Sequence, residues 1–529
     1  MWSLATAVGI VAVILYLPAL GNAFTNWDDP GYVTENPHLR SFDAHFLAWA
    51  FTTFRQAGWN PLTWISLGVD HALFGLDPFG YHLTNVLLYG ATTLAVVLLV
   101  GALFARVWNP VDGRVLAAAG VAGLIFAVHP LHVESVAWVS ERKDVLFGLF
   151  YVAALLFYLR FTEHQRRFDY LTTLAVFALA LLAKPTAVSL PLVLVILDVF
   201  PLRRFSKPGT IRVLVEKLPF VGLGIAASIV TIVAQWRGGA VARHIELGNR
   251  LWIAERAFGF YLAKTVWPLN LVPMYPLESQ FSRWRWDYLL SLALLLGGSL
   301  VSIILRRRAP LLPALWAAYL IMLLPAVSAV LGEQSAADRH MYLPLLVPAI
   351  GLAVVAAHVW QMRRSSRMAA LAAGIATVVV LSVLTVRQIG VWRDARTLWT
   401  WVIEKEPDVA MAHYNLGEYL REKGDLDGAG KYWRRAAELE PSFSWPLNQL
   451  GNLALLQGKV DEAHAYFERA TRVNPNDAEA HLNFANLLEE QGKLAEARAH
   501  YEVFLRVAPP AKFAHLFPEI SAKLAVPTK

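Results

Sequence analysis

The chain has 529 residues, of which 56% are hydrophobic and only 16% charged, with a mean hydropathy of +0.44. A large water-soluble protein carries about 25% charged residues, so most of this chain belongs in a bilayer. It has no cysteine, which excludes disulfides, thiolate metal sites and cysteine nucleophiles. Its formal charge of +7 fits basic cytoplasmic loops and gives no reason to invoke nucleic acid.

In chain order, apolar runs near 3–22, 82–105, 115–128, 145–160, 170–183, 186–200, 218–236, 287–305, 311–331, 342–361 and 369–389 predict about eleven membrane helices. The shorter ones need neighbouring apolar residues to cross ~30 Å of hydrocarbon. With the N-terminus inside, the cytoplasmic junctions hold Arg106 and Arg114; Arg160, Arg166 and Arg167; Arg203, Arg204, Lys207, Arg212 and Lys217; Arg306 to Arg308; and Arg363, Arg364 and Arg367. The short outer loops hold far fewer basic residues, as the positive-inside rule requires. Segment 251–267 carries Glu255, Arg256 and Lys264 and reads as an interfacial helix; as a span it would invert everything after it. "GNA" at 21–23 resembles a signal-peptidase site, but no basic region precedes it, so 3–22 is read as a retained anchor.

After Arg393 the composition becomes that of a soluble helical domain. Pro407, Pro441, Pro475 and Pro509 are spaced by 34 residues, as are Gly424, Gly458 and Gly492. A 34-residue period marks tetratricopeptide (TPR) repeats, helix pairs that stack into a solenoid and present a surface to other chains. Gly417, Ala429, Trp433 and Ala436 recur as Gly451, Ala463, Phe467 and Ala470, then as Ala485, Ala497 and Tyr501. Phe504 breaks the pattern where Ala is expected, as a terminal capping unit does.

The outer loops concentrate ionisable and aromatic groups. The first, from "NWDD" to "GLDPFGYHLTN", holds Asp28, Asp29, Trp59, Asn60, Asp77, Tyr81 and His82. "HPLHVESVAWVSERKD" holds His129, His132, Glu134, Arg142, Lys143 and Asp144; Lys184 stands in "LAKPT"; "GEQSAADRHMYLP" holds Glu333, Asp338, Arg339 and His340. Polar groups at the edge of hydrocarbon are costly without a partner or a wet cavity, so four such loops point to one shared cavity. Transfer of a sugar from a lipid phosphate to a hydroxyl uses both signs of charge: a carboxylate takes the acceptor proton, and Arg or Lys holds the leaving phosphate. Each piece has a plainer reading. The Asp pair also reads as a solvated membrane flank, His129, His132 and Glu134 as metal ligands or loop structure, and Arg142, Lys143 and Lys184 as interfacial anchors.

"NWDDPGYVTENPHL", "WNPLTWISLGVDHALFGLDPFGYHLTNVLLY" and "HPLHVESVAWVSERKDVLFGLF", followed by TPR repeats, resemble the transmembrane and TPR repeat-containing O-mannosyltransferases and their bacterial homologues. The resemblance extends to "LAKPTAVSLP" and "DRHMYLP" and is only general over 205–330. It implies a GT-C glycosyltransferase that uses a polyprenyl-phosphate sugar on the outer or lumenal face. Asp28 and Asp29 match the family's catalytic acidic motif. His129, His132 and Glu134 match a motif inferred to position donor or acceptor, and Arg339 is a candidate for the donor phosphate. Asp338 stands where relatives often have Glu.

The expectation is an all-α protein: a GT-C-like membrane domain over 1–392 and an extracytoplasmic TPR domain over 393–529, with about three repeats and a capping helix. It is an enzyme moving mannose or another hexose from a polyprenyl-phosphate donor to protein Ser/Thr. Asp28 or Asp29 is catalytic, and His129, His132, Glu134, Arg142, Lys143, Lys184, Arg339 and His340 bind substrate. No bound cofactor or metal is assigned beyond the lipid-linked donor, and a divalent-metal requirement is left open. The membrane expected is the bacterial inner membrane, with the repeats facing the periplasm or exterior and holding the acceptor protein. The rival is a non-enzymatic membrane scaffold for envelope proteins.

Overall fold

The computed structural model describes residues 1–108, 112–206, 210–237, 247–277, 284–328 and 334–525. Glu333 and Lys207 lie outside them. The chain divides into two compact units, Met1–Asp394 and Ala395–Lys529, within two residues of the change in composition.

In the first unit, α1 (Trp2–Tyr16) leads to a long connection carrying α2 (Ala44–Thr52) and α3 (Pro61–Phe74). α4 (Pro78–Val107), α5 (Gly113–Val128), the short α6 (Val133–Ala137), α7 (Arg142–His164) and α8 (Arg167–Ala183) follow. Then come α9 (Leu190–Val199), α10 (Thr210–Val215), α11 (Leu218–Arg237) and α12 (Leu247–Val266). α13 (Trp286–Leu305), α14 (Leu311–Ser328), α15 (Leu346–Trp360) and α16 (Arg364–Val391) complete it. Among the described residues the strands are β1 (Tyr275–Pro276) and β2 (Gln334–Ala336), an antiparallel pair. The protein is all-α in class.

Among the described residues each apolar run holds a helix, but fewer than eleven of these helices qualify as full spans. By length and composition six do: Trp2–Gly21, Pro78–Val107, Val139–His164, Thr210–Arg237, Trp286–Leu305 and Arg364–Val391. A seventh is α5 joined to Pro130–Ala137, bent by 55° where Pro130 forbids a continuous helix. Pro185–Val199, Leu311–Pro325 and Leu346–Trp360 have 10–17 residues, a rise of roughly 15–25 Å against ~30 Å of hydrocarbon. α13 and α16 expose Leu296, Ile303, Ile304, Leu371, Ile375 and Val379, an outer surface suited to lipid and not to water. The chain is a multi-pass membrane protein. α12 is not among the spanning helices; its Arg256 pairs with Asp287 at 2.6 Å, and Trp267 and Trp284 nearby in sequence are exposed, as an interfacial helix would have them.

In the second unit, α17 (Ala395–Lys405) precedes three helix pairs: α18 (Ala410–Glu422) with α19 (Leu426–Leu439), α20 (Ser444–Leu456) with α21 (Val460–Val473), and α22 (Ala478–Glu490) with α23 (Leu494–Val507). The recurring small residues have a steric cause: a Cβ at Gly451 would lie 2.5 Å from the Phe467 ring. The repeated glycine after each first helix has φ of +72° to +82°, a left-handed turn that other residues resist. α24 (Pro510–Phe513) and α25 (Phe517–Ala525) cap the array. The pattern break explains itself here: Phe504 is fully buried, with ring centroids 5.4 Å from Phe513 and 6.1 Å from Phe517.

Phe504→Ala therefore empties the cap. The expected cost is ~3–5 kcal/mol, seen as faster amide exchange across α23 and α25 while α18 and α19 keep their protection.

Candidate active site

The site is built at one end of the first unit's helices, where α5, α8, α14 and α16 finish and α4, α7 and α15 begin. Its foundation is Arg142, the first residue of α7, which is fully buried. The guanidinium pairs with Asp70 of α3 at 2.6 Å and donates to Ser66 Oγ at 2.7 Å, the Tyr81 carbonyl at 2.8 Å and Asn85 Oδ1. The Asn85 amide in turn donates to the carbonyls of Val136 and Trp138 at 3.1 and 3.2 Å. A sequence reading makes Arg142 a substrate contact. The structure gives its donors to the protein instead, so it joins α3, α4 and the turn ahead of α7.

Adjacent residues of a helix point about 100° apart, and Lys143 faces the other way. It pairs with Glu141 at 3.1 Å and donates to the Tyr32 hydroxyl at 3.3 Å. Glu141 also lies 3.6 Å from Lys184 and 3.3 Å from Arg339. Glu134 accepts from the Arg339 backbone at 3.1 Å and from its guanidinium. Asp144 pairs with Lys184 and accepts from Ser135 Oγ at 2.9 Å. The side chains of Glu134, Glu141 and Asp144 are 1–2% exposed, while Lys143, Lys184 and Arg339 are 15–19% exposed. The acids form the floor and the cations the rim.

The two aspartates of the opening motif part company. Asp29 is 1% exposed. Its Oδ2 accepts from the Thr25 N–H at 2.8 Å and hydroxyl at 3.0 Å, and its Oδ1 from the Ser140 N–H at 3.1 Å and hydroxyl at 2.5 Å. Every lone pair is in use, and the loop is clasped to the start of α7. Burial pushes its carboxyl up to about 6, against the pull of the Ser140 and Thr25 hydrogen bonds. Asp28 is half-buried, has no side-chain hydrogen-bond donor among the described residues, and faces the charges of Lys143, Arg339 and Glu141. Burial raises its carboxyl above the usual range, the two cations opposing. Beside it, Trp27 stacks on Trp138 at 4.7 Å and Trp138 on Trp392 at 5.1 Å, and Arg339 lies 5.7 Å from the Trp138 ring centroid.

The histidines are structural in their contacts. His129 Nδ1 accepts from the Leu131 N–H at 3.3 Å, so Nε2 carries the proton given to the Thr265 carbonyl at 3.0 Å. His132 is enclosed by the Tyr89 hydroxyl at 2.9 Å and the carbonyls of Phe126 and Tyr342 at 2.8 and 3.0 Å. With Glu134 held by Arg339, the three do not converge on one point. His340 borders the rim, its Nδ1 3.0 Å from the Tyr261 hydroxyl, and burial and the Arg339 charge hold it neutral. Asp338 is buried and accepts from the Tyr275 hydroxyl at 2.9 Å.

Two cavities lie near one another, the smaller one at this rim. A small one of about 20 Å³ is bordered by Asp144, Lys184, Arg339, His340 and Tyr342, so a phosphate enters it only if a rim side chain swings aside. A groove of 390 Å³ is lined almost wholly by apolar side chains of α4, α9, α14 and α15, and the two share Met322.

Residues 62–236 match the dolichyl-phosphate-mannose-protein mannosyltransferase family, and 386–442 and 448–512 match the tetratricopeptide repeat. Protein O-mannosyl-transferase TMTC4 of Homo sapiens is 25% identical over 80% of this chain and 65% of its own length. Protein O-mannosyl-transferase Tmtc2 of Drosophila melanogaster is 35% identical over 36% of this chain and 21% of its own. Protein O-mannosyl-transferase F38B6.6 of Caenorhabditis elegans is 25% identical over 78% and 59%. The chain is similar to the TMTC protein O-mannosyl-transferases over up to 80% of its length. It spans less than two thirds of the length of these TMTC relatives. The mannosyltransferase match takes in Asp70, Asn85 and Arg142, the floor acids Glu134, Glu141 and Asp144, and the rim cations Lys143 and Lys184.

Glu141, the acid shared by all three rim cations, escapes a sequence reading, since in "SERKD" it looks like the local partner of its basic neighbours. Asn85 and Asp70 carry a fainter signal, single polar residues inside apolar helices.

Removing the Asp29 acceptor with Asp29→Ala strands buried N–H groups, at ~1–3 kcal/mol. Its folded pKa of about 6 exceeds the ordinary 3.8, so the stability tied to its protonated form is lost as pH rises between about 4 and 6, by ~3 kcal/mol. The melting temperature of Asp29→Ala should fall furthest below wild type near pH 4, and the gap should narrow above pH 6.

Proposed function

We propose that this protein is a membrane glycosyltransferase that moves mannose, or another hexose, from a polyprenyl-phosphate donor to Ser/Thr hydroxyls of proteins on the extracytoplasmic side of a bacterial inner membrane. The observation that carries the reading is Asp28: a carboxylate with no side-chain hydrogen-bond donor among the described residues, set against the charges of Lys143 and Arg339. The similarity to protein O-mannosyl-transferases supports the reaction type, and the apolar groove, which shares Met322 with the small cavity at the rim, supports a lipid-phosphate donor.

In this reading the prenyl chain lies in the groove and the phosphate takes over the open sides of Lys184 and Arg339, with His340 as a neutral hydrogen-bonding neighbour. Asp28 accepts the proton of the acceptor hydroxyl as its oxygen bonds to the sugar's anomeric carbon. The bond from that carbon to the phosphate oxygen breaks, and the electron pair leaves with the polyprenyl phosphate. The rim cations neutralise the charge that develops there, an interaction strongest where water is scarce. A raised pKa makes Asp28 a better proton acceptor. Arg142 and Asp29 act through others, by holding α7 and the Asp28 loop in register.

Asp28→Asn keeps size and polarity but cannot take the proton. It should lower kcat by at least ~100-fold with donor affinity kept, measured by transfer to a Ser/Thr peptide from purified protein in lipid, and should leave the melting temperature unchanged. Because the base must be ionised, the acid limb of wild-type kcat should lie above the ordinary carboxylate range. Near-normal turnover of Asp28→Asn would return Asp28 to the role of a membrane flank and remove it as the base.

The sidedness has its own check, made clean by the absence of cysteine. In intact cells an impermeant thiol reagent should label Gly424→Cys and miss Arg212→Cys; the reverse result would place the repeats in the cytoplasm.

A further inference from the structure

The small cavity at the rim has one stretch of wall that the charged residues do not explain. Asp144, Lys184 and Arg339 are already paired there, and the Tyr261 hydroxyl lies against His340. Ser189 donates to the Thr186 carbonyl at 3.2 Å, with the Tyr151 hydroxyl 3.1 Å from its own. The Thr186 hydroxyl, on the same wall, is buried and has no hydrogen-bond partner among the described residues. Other threonines on helices of this unit behave differently. Thr92, Thr93, Thr173 and Thr265 each return the hydroxyl to the carbonyl four residues back, at 2.7–2.9 Å. Thr186 does not, because Lys184 is extended (φ −151°, ψ 126°) and breaks the helix just ahead of it. The Ala183 carbonyl, three residues back, accepts from Thr63 at 3.1 Å instead.

A buried hydroxyl without a partner is costly, and native structures keep few of them. The cavity it borders, of about 20 Å³, is too small for a whole phosphate but has space for one oxygen the size of a water. Met322 joins the same wall to the apolar groove. A lipid phosphate meets these constraints with one non-bridging oxygen in the cavity, its phosphorus at the rim and its chain in the groove. We infer that Thr186 donates its hydroxyl hydrogen to that oxygen, as a third and uncharged contact beside Lys184 and Arg339. The two cations attract the phosphate by charge, which is indifferent to how it is turned. A hydroxyl has a single hydrogen to give, and its bond to an ionised oxygen is stronger than one to a neutral group. Thr186 therefore fixes which oxygen enters and where the remaining phosphate bonds point. The inference rests on the reading that the donor is a lipid phosphate, and it adds Thr186 to the residues that hold it.

The test uses the full-length protein in lipid nanodiscs, with no sugar present, and two probes that differ only in the phosphate: farnesyl phosphate and farnesol. Thr186→Val keeps the branched shape and removes the hydroxyl hydrogen. It should raise the Kd of farnesyl phosphate at least ~10-fold, while the Kd of farnesol and the melting temperature stay as in wild type. Thr186→Ser should bring back most of the affinity. The four Kd values of wild type and Thr186→Val form a cycle that separates a contact with the phosphate from a general change of shape. Where wild type prefers farnesyl phosphate, three results would overturn the role of Thr186 and leave the donor reading standing: unchanged phosphate binding by Thr186→Val, equal weakening of both probes, or no recovery in Thr186→Ser. Wild-type protein that binds farnesyl phosphate no better than farnesol would overturn both.

Discussion

Arg142 carries a full charge into a place without water, and that charge has to be answered there. The answer comes from Asp70 at 2.6 Å and from three further oxygens on α3 and α4. Such a pair adds little stability over an apolar substitute, but breaking it leaves an uncompensated buried charge at ~3–5 kcal/mol. Its value is geometric. Once Arg142 is fixed, Glu141 and Lys143 on either side of it have fixed directions, and so does Ser140, on which Asp29 hangs. The rest of the centre is positioned from this point.

With Asp28, four carboxylates surround three cations at the rim. Asp28, set among these charges and partly desolvated, holds a proton more readily than a free carboxylate, which brings the count towards balance. The arrangement is a set of cations drawn to one place by acids beneath them and left with one open side each. That differs from an idle anion hole, which would fill with any passing phosphate. Entry here requires the ligand to compete with side chains already in contact.

Much of this was legible in the sequence, for reasons that differ by element. The 34-residue period survives because each repeat must fit its neighbour, and Phe504 departs from it because it packs on Phe513 and Phe517 of α24 and α25. The membrane helices were visible as apolar runs, but not their lengths, since prolines and polar turns trim Pro185–Val199 and Leu346–Trp360 below a full crossing. The charged loops were visible as a group. Which member faces the cavity was not: Asp28 and Asp29 are neighbours in sequence, yet one is clasped by Ser140 and the other is open. Arg142 and Lys143 divide the same way, by the turn of a helix. His129 and His132 look like ligands in "HPLHVE" because sequence cannot show that carbonyls from residues 126, 265 and 342 already hold them.

The tryptophan stack has a consequence for how the protein is made. Trp27 stands in the connection after α1, Trp138 just ahead of α7 and Trp392 just after α16; the Ala23 N–H also donates to the Arg393 carbonyl at 2.8 Å. Arg339, the counter-ion of Glu134, follows it in the chain by 205 residues. Until that segment arrives Glu134 is unpaired, while Glu141 already has Lys143 and Lys184; the first loop waits longer still, for Trp392 and Arg393. The centre therefore cannot assemble until residues 339 to 393 are in place. Completion of the polypeptide is itself the step that brings Asp28 to its place.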